Sequence, residues 1–230
     1  MTSRTTKRRQ RHAAHQARQA HHARALPVRV TLRGDGRAAL EVGGVTQSVA
    51  PSGEDSVDAV EGYWVAMLPE RCPRRALLLG LGGATVARLL RARCPAAEIV
   101  GIERDETVLA VARAEFGLDG IVGLRVELAD AFTWVAEAAA REPGSYDYIC
   151  LDLFEAGQLT PGTLATPFLR QIAALLAPGG TLAVNLMVTG RTSEQLHRLE
   201  RVYHVARTVR VRGNLVVHAR PLAIRGDGEA

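Results

Sequence analysis

The chain has 230 residues, 47% of them hydrophobic, with three cysteines and a formal net charge of +5. That length supports one sizeable core with a small appendage. Acids and arginines interrupt every apolar run before it reaches membrane-spanning length, and the N-terminus lacks the apolar stretch of a secretory signal, so no membrane contact is expected. Cys72, Cys94 and Cys150 show neither metal-ligand spacing nor an even disulfide set, and they are expected to be reduced, mostly buried thiols in a cytoplasmic protein.

The charge is unevenly spread. Residues 1–26 carry seven basic side chains and no acid, which leaves the remainder with a formal charge of −2. This stretch is expected to be a disordered, solvated basic tail. Its charge also suits a weak contact with nucleic acid or another acidic surface. His12, His15, His21 and His22 lie in it without acidic or thiol partners, so no metal site is expected.

After Pro27, "VRVTLRGDGRAALEV" has two alternating runs around Gly34-Asp35-Gly36, the pattern of a β-hairpin, and "GGVTQSVA" adds a third strand. Residues 27–52 therefore read as a small N-terminal β unit. "GEDSVDAVEGYWVAML" reads as a helix with acids in its first turn, and residues 53–73 as the link it provides. From Arg74 to the end the reading is one domain. Strands are predicted at 76–80, 98–103, 124–128 and 146–152, with a fifth in "GGTLAVNLMV". Helices are predicted near 84–93, 105–115, 131–140 and 164–176, and in "TSEQLHRLERVY". "HVARTVRVR" and "NLVVHARPLAI" close the chain as an antiparallel pair at one edge. This alternation implies an α/β fold with a Rossmann-like, doubly wound and mostly parallel sheet.

In such a sheet, ligands sit beyond the carboxyl ends of the strands. Four features fall at four successive strand ends: the glycines Gly80, Gly82 and Gly83; Glu103; Asp130; and Asp152 with Glu155. Glycine lets the turn tighten and lets a ligand lie on the backbone. Glu103 follows by about twenty residues, where an acid accepts the two hydroxyls of a ribose. Asp130 is placed to take an adenine amino group. The turn does not spell G-x-G-x-x-G, and no lysine follows it, which excludes a P-loop and favours a nucleoside over a dinucleotide. Phe132 and Trp134 lie at a helix start, where they pack on the sheet or flank the base.

At these residues the sequence resembles the spermidine synthase family, the polyamine aminopropyltransferases, on the class I S-adenosylmethionine-dependent methyltransferase fold. The likeness covers about residues 28–190. "LLLGLGGAT" matches the family's nucleoside loop, "IVGIERDETVLAVARAEF" its ribose segment with Glu103, and "LADAFTWV" its adenine segment with Asp130 and Ala131. "YDYICLDLFEAG" matches the catalytic segment and gives Asp152 the role of base, with Glu155 orienting the amine. "VTQS" resembles the gate-strand glutamine motif at Gln47, and "EGYWVAML" the tyrosine-bearing helix at Tyr63. The resemblance implies aminopropyl transfer from decarboxylated S-adenosylmethionine to an amine acceptor, without metal, in a homodimer.

Departures from the family pattern point elsewhere. The family carries an acid at the position of Gly83 to hold the donor's ammonium. Glu155 replaces an aspartate, with no proline after it, and Trp64 replaces a polar residue. Without the acid at 83, the repulsion of a donor carboxylate disappears. That favours methyl transfer, or aminocarboxypropyl transfer, from intact S-adenosylmethionine. A third reading is a nucleoside-binding module without catalysis that uses its basic arm on an acidic partner.

Overall fold

The computed structural model describes residues 26–50 and 62–223. The expected basic tail and most of the expected acidic helix start lie outside these residues. Three antiparallel strands come first: β1 (Val28–Leu32), β2 (Ala38–Val42) and β3 (Val45–Val49), in spatial order. The β1–β2 turn is closed by Asp35, whose carboxylate accepts from the backbone N–H and the guanidinium of Arg37. Of the predicted linking helix, the described part is one turn, α1 (Tyr63–Ala66). Gly62, at φ +124°, precedes it, and Pro69 follows soon after.

The main body alternates as expected: β4 (Arg75–Leu79), α2 (Thr85–Arg93), β5 (Glu98–Glu103), α3 (Glu106–Phe116), β6 (Leu124–Leu128), α4 (Ala131–Arg141) and β7 (Tyr146–Leu151). A two-strand hairpin, β8 (Phe154–Glu155) and β9 (Gln158–Leu159), precedes α5 (Thr166–Leu175). The chain closes with β10 (Leu176–Met187), α6 (Thr192–Glu200), β11 (Tyr203–Val211) and β12 (Asn214–Pro221). The seven-stranded sheet has the order β11-β12-β10-β7-β4-β5-β6. β4, β5, β6, β7 and β10 run parallel, and β12 runs antiparallel to both its neighbours. The closing hairpin lies at one edge, with its second strand inserted next to β10.

Both faces of the sheet are covered. Leu77, Leu79, Val100 and Ile102 pack on one side with Trp134, Leu169 and Ile172. Ala76, Leu78, Ile99 and Cys150 pack on the other with Trp64, Met67, Leu90 and Leu109. The alternating burial of side chains on a pleated strand explains why β4 reads as an unbroken apolar run. A smaller cluster of Leu40, Val108 and Phe116 fastens the N-terminal sheet onto α3. That attachment carries β3 over the glycine turn. Two helices start where the sequence supplies a cap. The Asp105 carboxylate accepts from the N–H groups of Thr107 and Val108, and Asp130 accepts from Thr133. Among the described residues no helix is long and apolar enough to cross a membrane.

One expectation is overturned. Cys72 and Cys94 form a disulfide, with Cα atoms 5.3 Å apart. Cys72 lies just before β4, and Cys94 caps the end of α2, so the reversal at the glycine turn brings back a residue 22 positions away. Nothing local in the sequence marks that pairing. The inference from reduced thiols to a cytosolic setting loses its basis. Cys150 alone is free and buried.

Candidate active site

β4 runs into the turn at Gly80, where φ is +87°. A Cβ there would lie 2.2 Å from the carbonyl oxygen of Asp152. The ends of β4 and β7 therefore meet backbone to backbone, and the Asp152 N–H donates to the Leu79 carbonyl at 2.9 Å. Gly82, at φ +53°, turns its N–H to Glu103 Oε2 at 3.0 Å. Gly83 is closed off by β3. Its N–H donates to Ser48 Oγ at 2.8 Å, and a Cβ on it would stand 2.6 Å from Ser48 Cβ. The glycines thus answer mainly to the protein's own backbone and to Ser48, rather than to open space at every position.

Glu103 ends β5, with its carboxylate held by three backbone N–H groups. Besides Gly82, Arg104 and Asp105 donate to Oε1 at 2.9 and 3.1 Å. A carboxylate offers about four acceptor sites, so one remains on Oε2 for a ligand hydroxyl. Asp130 caps α4 through Thr133, 3.0 Å away. Glu103 and Asp130 line one cleft with about 410 Å³ of empty space, part of it open to solvent. Gly80, Ile102, Ala131, Phe132, Leu153 and Phe154 also line it. Phe132 lies in the cleft against Phe168, with ring centroids 4.5 Å apart. Trp134 turns inward, and its indole N–H donates to Glu127 Oε2 at 2.6 Å.

Asp152, one residue past β7, sits at the centre of a polar network. Tyr63 Oη donates to its Oδ2 at 2.9 Å, and Asn185 Nδ2 donates to its Oδ1 at 2.9 Å. Burial disfavours the charged form and pushes the carboxyl up to about 6, against the opposing pull of the Asn185 and Tyr63 hydrogen bonds. Burial, and then the neighbouring Asp152 charge, hold the Tyr63 phenol well above its ordinary range. The phenol therefore stays a donor. A buried carboxyl pushed up to about 6 can hold and release a proton near neutral pH.

Glu155 is not in this network. It pairs with Arg104 at 3.3 Å, on the β8–β9 hairpin beside the cleft. The hairpin turns at Ala156 and Gly157, and its tip rests on the β2–β3 turn, where a Cβ on Gly157 would meet Val45 at 2.9 Å. Gln47 lies half-buried on β3 near Gly82; its Cβ would be 4.0 Å from one built on that glycine. The structure thus gathers Gly80, Glu103, Asp130 and Ala131 on one cleft, while Asp152, next to the lining residue Leu153, is bonded to Tyr63 outside that lining. It sets Gln47 and Glu155 at the margins. Sequence reasoning missed Ser48, which follows Gln47 at a slip in the β2–β3 register and meets the same glycine turn, and assigned no chemistry to Asn185.

Comparison with known proteins follows the same lines. Residues 76–180 match the model of the methyltransferase domain family. A trans-aconitate 2-methyltransferase from Methylobacterium radiotolerans is 34% identical over 60% of this chain and 46% of its own length. A mouse eEF1A lysine and N-terminal methyltransferase is 28% identical over 50% of this chain and 17% of its length. A polyamine aminopropyltransferase from Vibrio vulnificus is 29% identical over 52% of this chain and 40% of its length. Each match spans less than half of the relative. A probable spermidine synthase from Corynebacterium glutamicum superposes with a TM-score of 0.65, at 21% identity, over 84% of this chain and 76% of that one. The chain carries the fold of the class I S-adenosylmethionine-dependent methyltransferases, and its likeness to spermidine synthases is one among several on that fold.

Proposed function

We propose that the chain transfers a methyl group from intact S-adenosylmethionine to a neutral amine, with Asp152 as the base. The observation that carries the donor assignment is the Ser48–Gly83 contact. A side chain at position 83 would have to occupy the volume of Ser48 Cβ, 2.6 Å away, so the acid that an aminopropyltransferase uses to hold its donor has no place here. The ribose would bond to Glu103 and the base to Asp130, in the cleft both residues line. The acceptor follows from Asp152. An amine is cationic near neutral pH and must lose a proton before its lone pair can attack. That lone pair forms the nitrogen–carbon bond as the carbon–sulfur bond breaks, and the bonding pair leaves with sulfur as a thioether. The proton passes to the Asp152 carboxylate. One relative is named for lysine and N-terminal methylation, which is chemistry of this kind.

The test is turnover of the purified chain with a panel of primary amines and either donor, followed by mass spectrometry. S-adenosylhomocysteine formed from the intact donor supports this reading. Faster turnover of the decarboxylated donor, with release of methylthioadenosine, would replace it with aminopropyl transfer. That second reading is favoured by the Tyr63–Asp152 bond, which joins the two residues the spermidine synthase resemblance picks out.

A further inference from the structure

β12 carries two polar side chains on one face of the sheet, four residues apart: Asn214 and His218, on either side of the core residue Val216. Asn214 Nδ2 donates to Asn185 Oδ1 at 3.0 Å. With its oxygen so occupied, Asn185 turns its amide nitrogen to Asp152 Oδ1. The opposite rotation would set an acceptor against the carboxylate and a donor against the Asn214 amide nitrogen, so Asn214 acts with Asp152 to fix the sense of that amide. His218 is buried, and its Nε2–H donates to the Ala66 carbonyl at 2.7 Å. Ala66 ends the single turn whose first residue is Tyr63. One helical turn is too short to hold itself. Tyr148 Oη fastens the next carbonyl, that of Met67.

We propose that Asn214 and His218 are positioning residues that together fix the hydrogen bonds on Asp152, one through Asn185 and the other through the turn bearing Tyr63. The closing strand thereby reaches the base from both sides without touching the cleft. The groups around Asp152 are Tyr63 from α1, and Tyr148 and Cys150 from its own strand; burial holds all three above their ordinary ranges. His218 faces Arg207 of β11, 3.5 Å away, and Arg207 in turn meets Glu70 at 3.5 Å. Burial lowers the His218 ring below its ordinary range, so it stays neutral with its proton on the nitrogen that faces Ala66. The catalytic consequence rests on the base reading above, but the bonds themselves do not.

The test titrates the Asp152 carboxyl by carbon NMR of the aspartate-labelled chain, assigned with Asp152→Asn, with no substrate present. Losing either bond removes a stabiliser of the carboxylate, so Asn214→Ala and His218→Ala each raise the midpoint by about half to one pH unit. His218→Gln keeps a donor toward Ala66 and returns the midpoint toward the parent value. In a Tyr63→Phe background His218→Ala adds no further shift, and in Asn185→Ala the same holds for Asn214→Ala. Unmoved midpoints in folded single variants overturn the inference. So does a His218→Ala shift that persists undiminished without the Tyr63 hydroxyl. Should His218→Ala unfold, the shorter His218→Asn against His218→Gln makes the same comparison. A shift in a chain that never turns over would sustain this inference and remove the transferase reading; turnover without a shift would do the reverse.

Discussion

Replacing Gly83 with alanine asks one question of the glycine turn: does Ser48 wall it off? The backbone at Gly83 is not left-handed, so alanine meets no conformational strain there. On that ground alone the change would stabilise the protein by about 0.4–1 kcal/mol, by restricting the unfolded chain. The added Cβ, however, would sit 2.6 Å from Ser48 Cβ and 3.3 Å from the Phe116 ring. Ser48 Cβ is fixed to a strand, so relief requires a backbone shift of β3. Overpacking of this kind costs about 1–3 kcal/mol, enough to reverse the sign. Urea denaturation with an unchanged slope would read the loss directly. Ser48→Ala removes only the hydroxyl, which would stand 2.9 Å from the new Cβ, and gives partial relief; Ser48→Gly removes the carbon at 2.6 Å as well and recovers more, about 1–2 kcal/mol of the loss in a double-mutant cycle. A neutral Gly83→Ala, or no rescue by either Ser48 variant, would show that Ser48 does not close this position. The donor argument would fall with it.

Further outcomes follow for Asp152, for the disulfide and for Gly80. Asp152→Asn abolishes turnover while sparing donor binding by calorimetry. In the parent chain the rate rises with pH through a midpoint about 6, because the base works only when deprotonated. The same raised carboxyl means that the folded state holds this proton more tightly than the unfolded chain. Its contribution to stability therefore falls as pH climbs from about 4 to about 6, a loss that Asp152→Asn removes in chemical denaturation across that window. Reduction of Cys72–Cys94 frees a loop spanning 22 positions and lowers unfolding free energy by about 3 kcal/mol, measured with and without reductant; an unchanged denaturation midpoint would contradict it. Gly80→Ala places a Cβ 2.2 Å from the Asp152 carbonyl at a left-handed φ, and it destabilises by roughly 3 kcal/mol or more in thermal melts.

What the sequence disclosed and what it hid separate by range. The apolar run of β4, the glycines at its end, the acid that ends β5 and the acid just past β6 are local patterns, and they set the sheet and its rim. The pairings that make the rim a site are not local. Ser48 meets Gly83 across 35 positions, Asn214 meets Asn185 across 29, and His218 meets Ala66 across 152. Each depends on how β3 and β12 are laid against the sheet, which no spacing encodes. Glu155 shows the converse. Its place three residues after Asp152 suggested a carboxylate pair, but the two-residue turn at Ala156 and Gly157 folds that segment into a hairpin and turns the acid to Arg104.

The central claim is that an adenosine-bearing sulfonium lies along the ends of β4, β5 and β6. A crystal structure of the chain with S-adenosylhomocysteine tests it most directly. The account predicts a ribose hydroxyl within hydrogen-bond distance of Glu103, the adenine amino group beside Asp130, and the thioether sulfur open toward Asp152. A nucleoside bound elsewhere, or a cleft that holds no nucleoside at saturating ligand, would contradict it.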